Sequence, residues 1–226
     1  MSIFNYESKF TQTLMYLADL AILNILYVVC SIPLFTMGAA QTGLLSGIRV
    51  LTDPEDDSSP AMAFFKGFAN GFGKVTIAWG LLALVIAALI YFGYIAVALG
   101  SPLWPIAIAL GITAWFQSTI PALHSRFYCT AIQLIRNAFL FNLAHPLRTL
   151  GAAALLWLPF ILFMSKWSYY FMALGVLWVA LYYSIAALFA QSLLKKPLNN
   201  LVKRFKEPDA EQAQEESQEE VATIEE

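Results

Sequence analysis

No aspartate or glutamate occurs between Asp57 and Glu207, an interval of mostly apolar residues interrupted by a few lysines and arginines. Soluble surfaces intersperse acids and bases over the whole fold. A chain that withholds acids over such a length is solvated there by lipid, and it has few carboxylates to offer for chemistry. Charged residues make up 12% of the chain and hydrophobic ones 59%, where a soluble domain carries about 25% charged residues. At about 20 residues per crossing, 226 residues hold five or six transmembrane helices and no separate catalytic domain. The expected fold class is all-α: a polytopic helical membrane protein with five or six transmembrane helices plus short interfacial amphipathic helices.

The net charge of -2 hides an asymmetry, since all 13 basic residues lie before Glu207 together with 6 of the 15 acids, whereas the remaining 9 acids follow without a base. Residues 207–226, free of aromatics, bury too little apolar area to offset the entropy of ordering. They are expected to form a disordered, acidic, cytoplasmic tail beyond a transmembrane bundle of residues 1–206. Cys30 and Cys129 stand far apart inside apolar segments, with no Cys-x-x-Cys and no histidine at ligand spacing. Both read as small packing residues.

The spans are expected at about 13–33, 34–51, 75–99, 102–123, 147–165 and 167–194. The first lacks a strongly basic leader and reads as a retained span, although Gly38-Ala39-Ala40 mimics a cleavage site. The second is too short to cross unaided, and it either spans with help from Leu34 and Phe35 or is re-entrant. Ser59 and Pro60 have the chemistry of an N-cap and first helical position. In the helix they open, Phe64, Phe68 and Phe72 recur every four residues while Lys66, Asn70 and Lys74 point elsewhere, as in a helix lying at the headgroups. Residues 124–145 read as a further interfacial connection, Trp167, Tyr169 and Tyr170 as an interfacial aromatic cluster, and Lys195-Lys196-Pro197 as the end of the last span.

If all six segments cross, 12 of the 13 basic residues fall on one side and Lys166 alone on the other; a re-entrant second segment moves Lys9 across and makes the split 11 to 2. The positive-inside rule puts the basic side, and with it the C-terminus, in the cytoplasm under either count.

Asp19 is the sole acid inside a span, and intramembrane acids are functional candidates because burying their charge is costly. It is expected either to bind a proton or cation, or to form a structural pair with Arg126 or Arg148 near the membrane edge. Ala39, Gly43 and Gly47, four apart, give the second segment a smooth face for helix packing, with self-association as the alternative. Gly67, Gly71 and Gly73 before Lys74 do not make a phosphate loop, which would need glycine at Phe68 and a hydroxyl at Val75. His124 and His145 have no partner acid, and no Ser/His/Asp set can be assembled. The expectation is therefore no enzyme, no catalytic residue, no metal, no cofactor and no nucleic acid, with the lipid bilayer as partner.

Ala18-Asp19-Leu20, Leu23-Asn24, Cys30, Pro33, Phe35, Gly38 and Ala39 stand in an order that resembles the YesL-like family of bacterial integral membrane proteins, a domain of unknown function. Phe64-Phe65-Lys66, Asn70, Phe72, Trp79, Arg126-Phe127, Asn137-Ala138, Pro146 and Arg148-Thr149 extend the resemblance, which covers roughly Phe4 to Lys206. It implies a multi-span inner-membrane protein of the bacterial cell membrane, in a family associated with carbohydrate uptake and utilisation, with a membrane transport complex as a potential partner. The family has no assigned catalytic residues. Asp19, Asn24, Arg126 and Arg148 are the polar positions matching its pattern and the expected polar cluster. The expected function is accessory or regulatory; the alternative is a small solute transporter or channel, with Gln117-Ser118-Thr119 facing Asp19 and Asn24 across the bundle.

Overall fold

The computed structural model describes residues 9–53, 56, 58–127, 130–164 and 181–201, which are helical apart from short connections and contain no strand. The helices are α1 Lys9–Cys30, α2 Met37–Leu51, α3 Pro60–Gly71, α4 Lys74–Ala98, α5 Trp104–His124, α6 Ala131–Ala144 and α7 Pro146–Met164. A last helix, α8, covers 181–201. The part of the expected last span at 167–180, with the aromatic cluster of Trp167, Tyr169 and Tyr170, and the acidic tail lie outside the described residues, as does Cys129.

Among the described residues three helices, α1, α4 and α5, are long and apolar enough to cross a membrane, and α6 with the first part of α7 forms a fourth candidate if the 114° bend between them is a break within one span. The most apolar window lies in α4, with a mean hydropathy of 2.5 and no buried residue. Its exposed Leu81, Leu84, Val85 and Ile90 have no water-soluble rationale, because a helix apolar all round belongs inside a protein or in lipid. The protein is thus an all-helical membrane protein.

The first helix ends at Cys30, short of the expected Pro33, since proline disfavours helical backbone in the residue before it. A single 3-10 turn, Leu34–Thr36, follows, and the Thr36 hydroxyl donates back to the carbonyl oxygens of Cys30 at 2.5 Å and Pro33 at 2.7 Å. The chain reverses here, so α2 runs antiparallel to α1. The 15 residues of α2 extend about 22 Å, short of the roughly 30 Å hydrocarbon core. Yet all residues from Gly38 to Leu45 are buried, as are Gly47 and Ile48. The second segment is the most enclosed helix of the described fold.

The helix α3 begins as the sequence indicates, with Ser59 in extended backbone and Pro60 at the first turn. Of the phenylalanine row expected to lie at the headgroups, Phe72 is 48% exposed, whereas Phe64 turns into the bundle and is buried with Gly67 and Gly71. Glycines stand at this contact because the backbones of α2 and α3 approach closely there. A Cβ on Gly43 would lie 2.8 Å from the Phe64 carbonyl oxygen, one on Gly71 3.3 Å from Thr42, and one on Gly47 2.9 Å from the Pro60 carbonyl oxygen. As positions rise along α2 they fall along α3, so the pair is antiparallel.

Gly100 closes the turn from α4 into α5 at φ +64, a left-handed conformation costly for residues with a Cβ. Gly100→Ala is expected to destabilise by about 1 kcal/mol, read as a lower midpoint in thermal unfolding in detergent. A capping box at Thr130 and Gln133 starts α6. The last helix departs from expectation, since it continues through Pro197 to 201 rather than ending there. Leu194 and Leu198 are 4% and 2% exposed, and their packing offsets the hydrogen bond that proline removes.

Candidate functional site: a basic cavity at one end of the bundle

The alternation of helix directions collects the C-terminal ends of α2 and α8, the N-terminal end of α4 and the residues after α5 at one end of the bundle. A cavity of about 410 Å³ opens there, lined by Arg49, Thr52 and Asp53 from the end of α2, Arg126 after α5, and Gln191, Ser192, Lys195 and Asn199 of α8. Three cations thus face one carboxylate. Arg49, Asp53 and Lys195 are exposed at the rim and Arg126 is half-buried.

Arg126 is the hinge of this site. Its Nη1 donates to Asn199 Oδ1 at 3.1 Å, and its Nε is buried with no hydrogen-bond partner. Burial first, and then the like charge of Arg49, pull its pKa below the usual guanidinium range, while Asp53 pushes it back up. Gln191 forms part of the cavity wall: its Nε2 donates to the Leu45 carbonyl oxygen at 3.5 Å, and its buried Oε1 lacks a partner. A planar guanidinium with a free donor edge recognises carboxylate or phosphate oxygens, and neighbouring cations raise the affinity for such a group.

The expected polar cluster of Asp19, Asn24, Arg126 and Arg148 is not assembled. Asp19 is half-buried on α1 and has neither a hydrogen bond nor an ion pair among the described residues. Arg148 is exposed on the first turn of α7. Asn24 is fully buried, and its Oδ1 accepts the backbone N–H of Ser184 at 2.8 Å. The segment from Gln117 to Thr119 does not face Asp19 or Asn24 either. Gln117 Nε2 donates to the Trp79 carbonyl oxygen at 3.3 Å, and Thr119 donates to Asn142 Oδ1 at 2.8 Å. These polar groups join helices pairwise. Lipid offers them no alternative partner, so each finds one across the nearest interface.

The small-residue face of Ala39, Gly43 and Gly47 is covered within the chain. Phe64 and Pro60 of α3 and Leu23 of α1 come against it, and Ala39 is completely buried. His124 is buried and its Nε2 lies 3.2 Å from the Asn70 carbonyl oxygen, which ties α5 to α3. His145 caps α6 and packs edge-on against Phe141. Sequence reasoning singled out Arg126 but neither Arg49 nor Lys195 as its companions. The available signal was their common side in the charge count.

Residues 20–94 match the family model described as Protein of unknown function, DUF624. The YesL-like resemblance is consistent with that family. The matched stretch holds Asn24, the α2–α3 contact, Arg49 and Asp53, whereas Arg126 and the α8 side of the cavity lie beyond it. No curated protein and no solved structure matches the chain.

Proposed function

We propose that this chain is a non-enzymatic accessory or regulatory protein of the bacterial inner membrane, linked to carbohydrate uptake, and that it acts through the basic cavity. The observation that carries the reading is the excess of cations there: Arg49, Arg126 and Lys195 against Asp53. Such a surface suits an anionic group on a partner, for example a carboxylate of a transport complex. The positive-inside rule makes this end cytoplasmic and brings the C-terminus to the same side. Five or six crossings complete the topology, depending on whether 34–51 spans. The absence of acids in the body supports a binding role over catalysis. A small solute transporter is the less favoured reading, because the polar side chains of Asn24 and Thr119 are engaged in separate helix contacts and do not line a common path.

Pull-down of the tagged protein in detergent is expected to recover a component of an uptake system, and Arg126→Gln combined with Arg49→Gln to weaken that capture about tenfold or more, since charge-assisted hydrogen bonds are worth about 1.5–3 kcal/mol each. Recovery of no uptake component, together with normal sugar uptake in a deletion strain, would exclude the accessory role. Labelling a single engineered cysteine near residue 5 from outside intact cells separates the topologies: reaction means five crossings, and protection means six.

A further inference from the structure

A second cavity, of about 320 Å³, lies inside the bundle, bounded by α1, the turn before α2, α2 itself, α4, α5, α7 and α8. Its wall is aromatic, with Tyr27, Trp79, Trp157 and Tyr183, and contains no charged residue among the described residues. Besides the hydroxyls of Ser118, Tyr27 and Tyr183, two amides interrupt the apolar surface. Gln117 is 1% exposed; its Nε2 is held by the Trp79 carbonyl oxygen, so its Oε1 is fixed in place, and that oxygen is buried without a partner. Gln41, 8% exposed, also lines the cavity. Leu34 and Ile90, 74% and 58% exposed, belong to the same wall and mark the mouth, between the α1–α2 turn and the lipid-facing surface of α4.

A buried acceptor with no donor is costly, and the cost disappears when a ligand supplies an O–H or N–H. A wall without charge excludes ions, because none would find a counter-charge. An aromatic, apolar passage opening on the hydrocarbon side of the bundle favours a chain over a compact polar solute. We infer that this cavity binds an uncharged single-chain amphiphile, its hydrogen-bond-donating end directed inward to Gln117 Oε1 beside Gln41 and its chain leaving past Leu34 and Ile90. This site is separate from the basic cavity, and its test does not depend on the accessory role.

The probes are a brominated long-chain alcohol, the matching alkane and the matching carboxylate, each titrated at neutral pH into full-length protein in phosphatidylcholine vesicles, with tryptophan fluorescence as the readout. Bromine quenches Trp79 and Trp157 on contact, whereas lipid-facing tryptophans respond in proportion to the bulk concentration. The alcohol is expected to quench saturably at a mole fraction about five- to tenfold lower than the alkane, the advantage of one hydrogen bond, and the carboxylate not to saturate. Ala83→Phe, which fills the wall with no loss of a polar group, is expected to remove the saturable component. Gln117→Leu should bring the alcohol down to the level of the alkane. Linear quenching by all three probes, saturation that persists in Ala83→Phe, or an alcohol advantage that survives Gln117→Leu in a variant with native circular dichroism, would overturn the assignment.

Discussion

Gly43→Ile is expected to separate α2 from α3 and to cost at least about 3 kcal/mol, the upper range for overpacking a tight core. The added Cβ alone would stand 2.8 Å from the Phe64 carbonyl oxygen and 3.2 Å from two carbons of its ring. The ring can turn only within a fully buried site, and the carbonyl belongs to the backbone of α3, so relief requires the whole helix to move. Gly67 faces the same contact, with the Gly43 Cα 3.2 Å from where its Cβ would lie. Unfolding in mixed micelles with increasing SDS measures the effect. Gly80→Ala is the matched control: nothing lies within 4 Å of its Cβ position, and alanine is favoured over glycine in a helix by about 1 kcal/mol. Equal midpoints for wild type and Gly43→Ile, with a normal control, would mean that α2 and α3 are not in this contact.

Asn24→Leu is expected to destabilise by about 2 kcal/mol, because it leaves the Ser184 N–H without its acceptor in a buried site. That bond joins positions 160 residues apart, at 2.8 Å, and sits next to π-helical backbone at 181–182, a place where ordinary helix bonding is interrupted. Asn24→Asp keeps the acceptor but places a carboxylate in a fully enclosed position, and is expected to be worse than leucine at neutral pH. Hydrogen exchange at Ser184 gives a local readout: protection should fall in Asn24→Leu by more than global unfolding accounts for. A leucine variant as stable as wild type, with Ser184 still protected, would show that the bond contributes nothing.

Much of the helical layout is legible in the sequence. The expected spans at 75–99 and 102–123 lie within two residues of α4 and α5 at either end, since Gly73, Gly100 and Pro102 punctuate apolar runs whose length is set by the bilayer. Ser59 and Pro60 marked the start of α3 correctly. What stayed illegible was which helix covers which. The phenylalanine row of α3 marks an apolar face for the headgroups; that Phe64 turns into the bundle with Gly67 and Gly71 depends on the glycine-lined surface of α2, which no pattern within α3 shows.

The same division runs through the candidate site. Asn24 and Arg126 stood out individually as polar residues in an apolar chain, but their partners Ser184 and Asn199 lie on a helix far along the sequence, and no spacing rule links them. Pairing Asp19 with an arginine was a guess from charge; the geometry gives Arg126 to Asn199 and the neighbourhood of Arg49 instead.

By itself the sequence determined the apolar surroundings and the helical class, because these follow from composition and from lengths matched to a bilayer of fixed thickness. Tertiary structure decided the rest: α2 is enclosed, Asn24 and Thr119 serve helix contacts, three cations share one cavity, and Gln117 is left with an unpartnered oxygen. Those outcomes depend on which helix faces are brought into contact, a long-range property that no local pattern encodes.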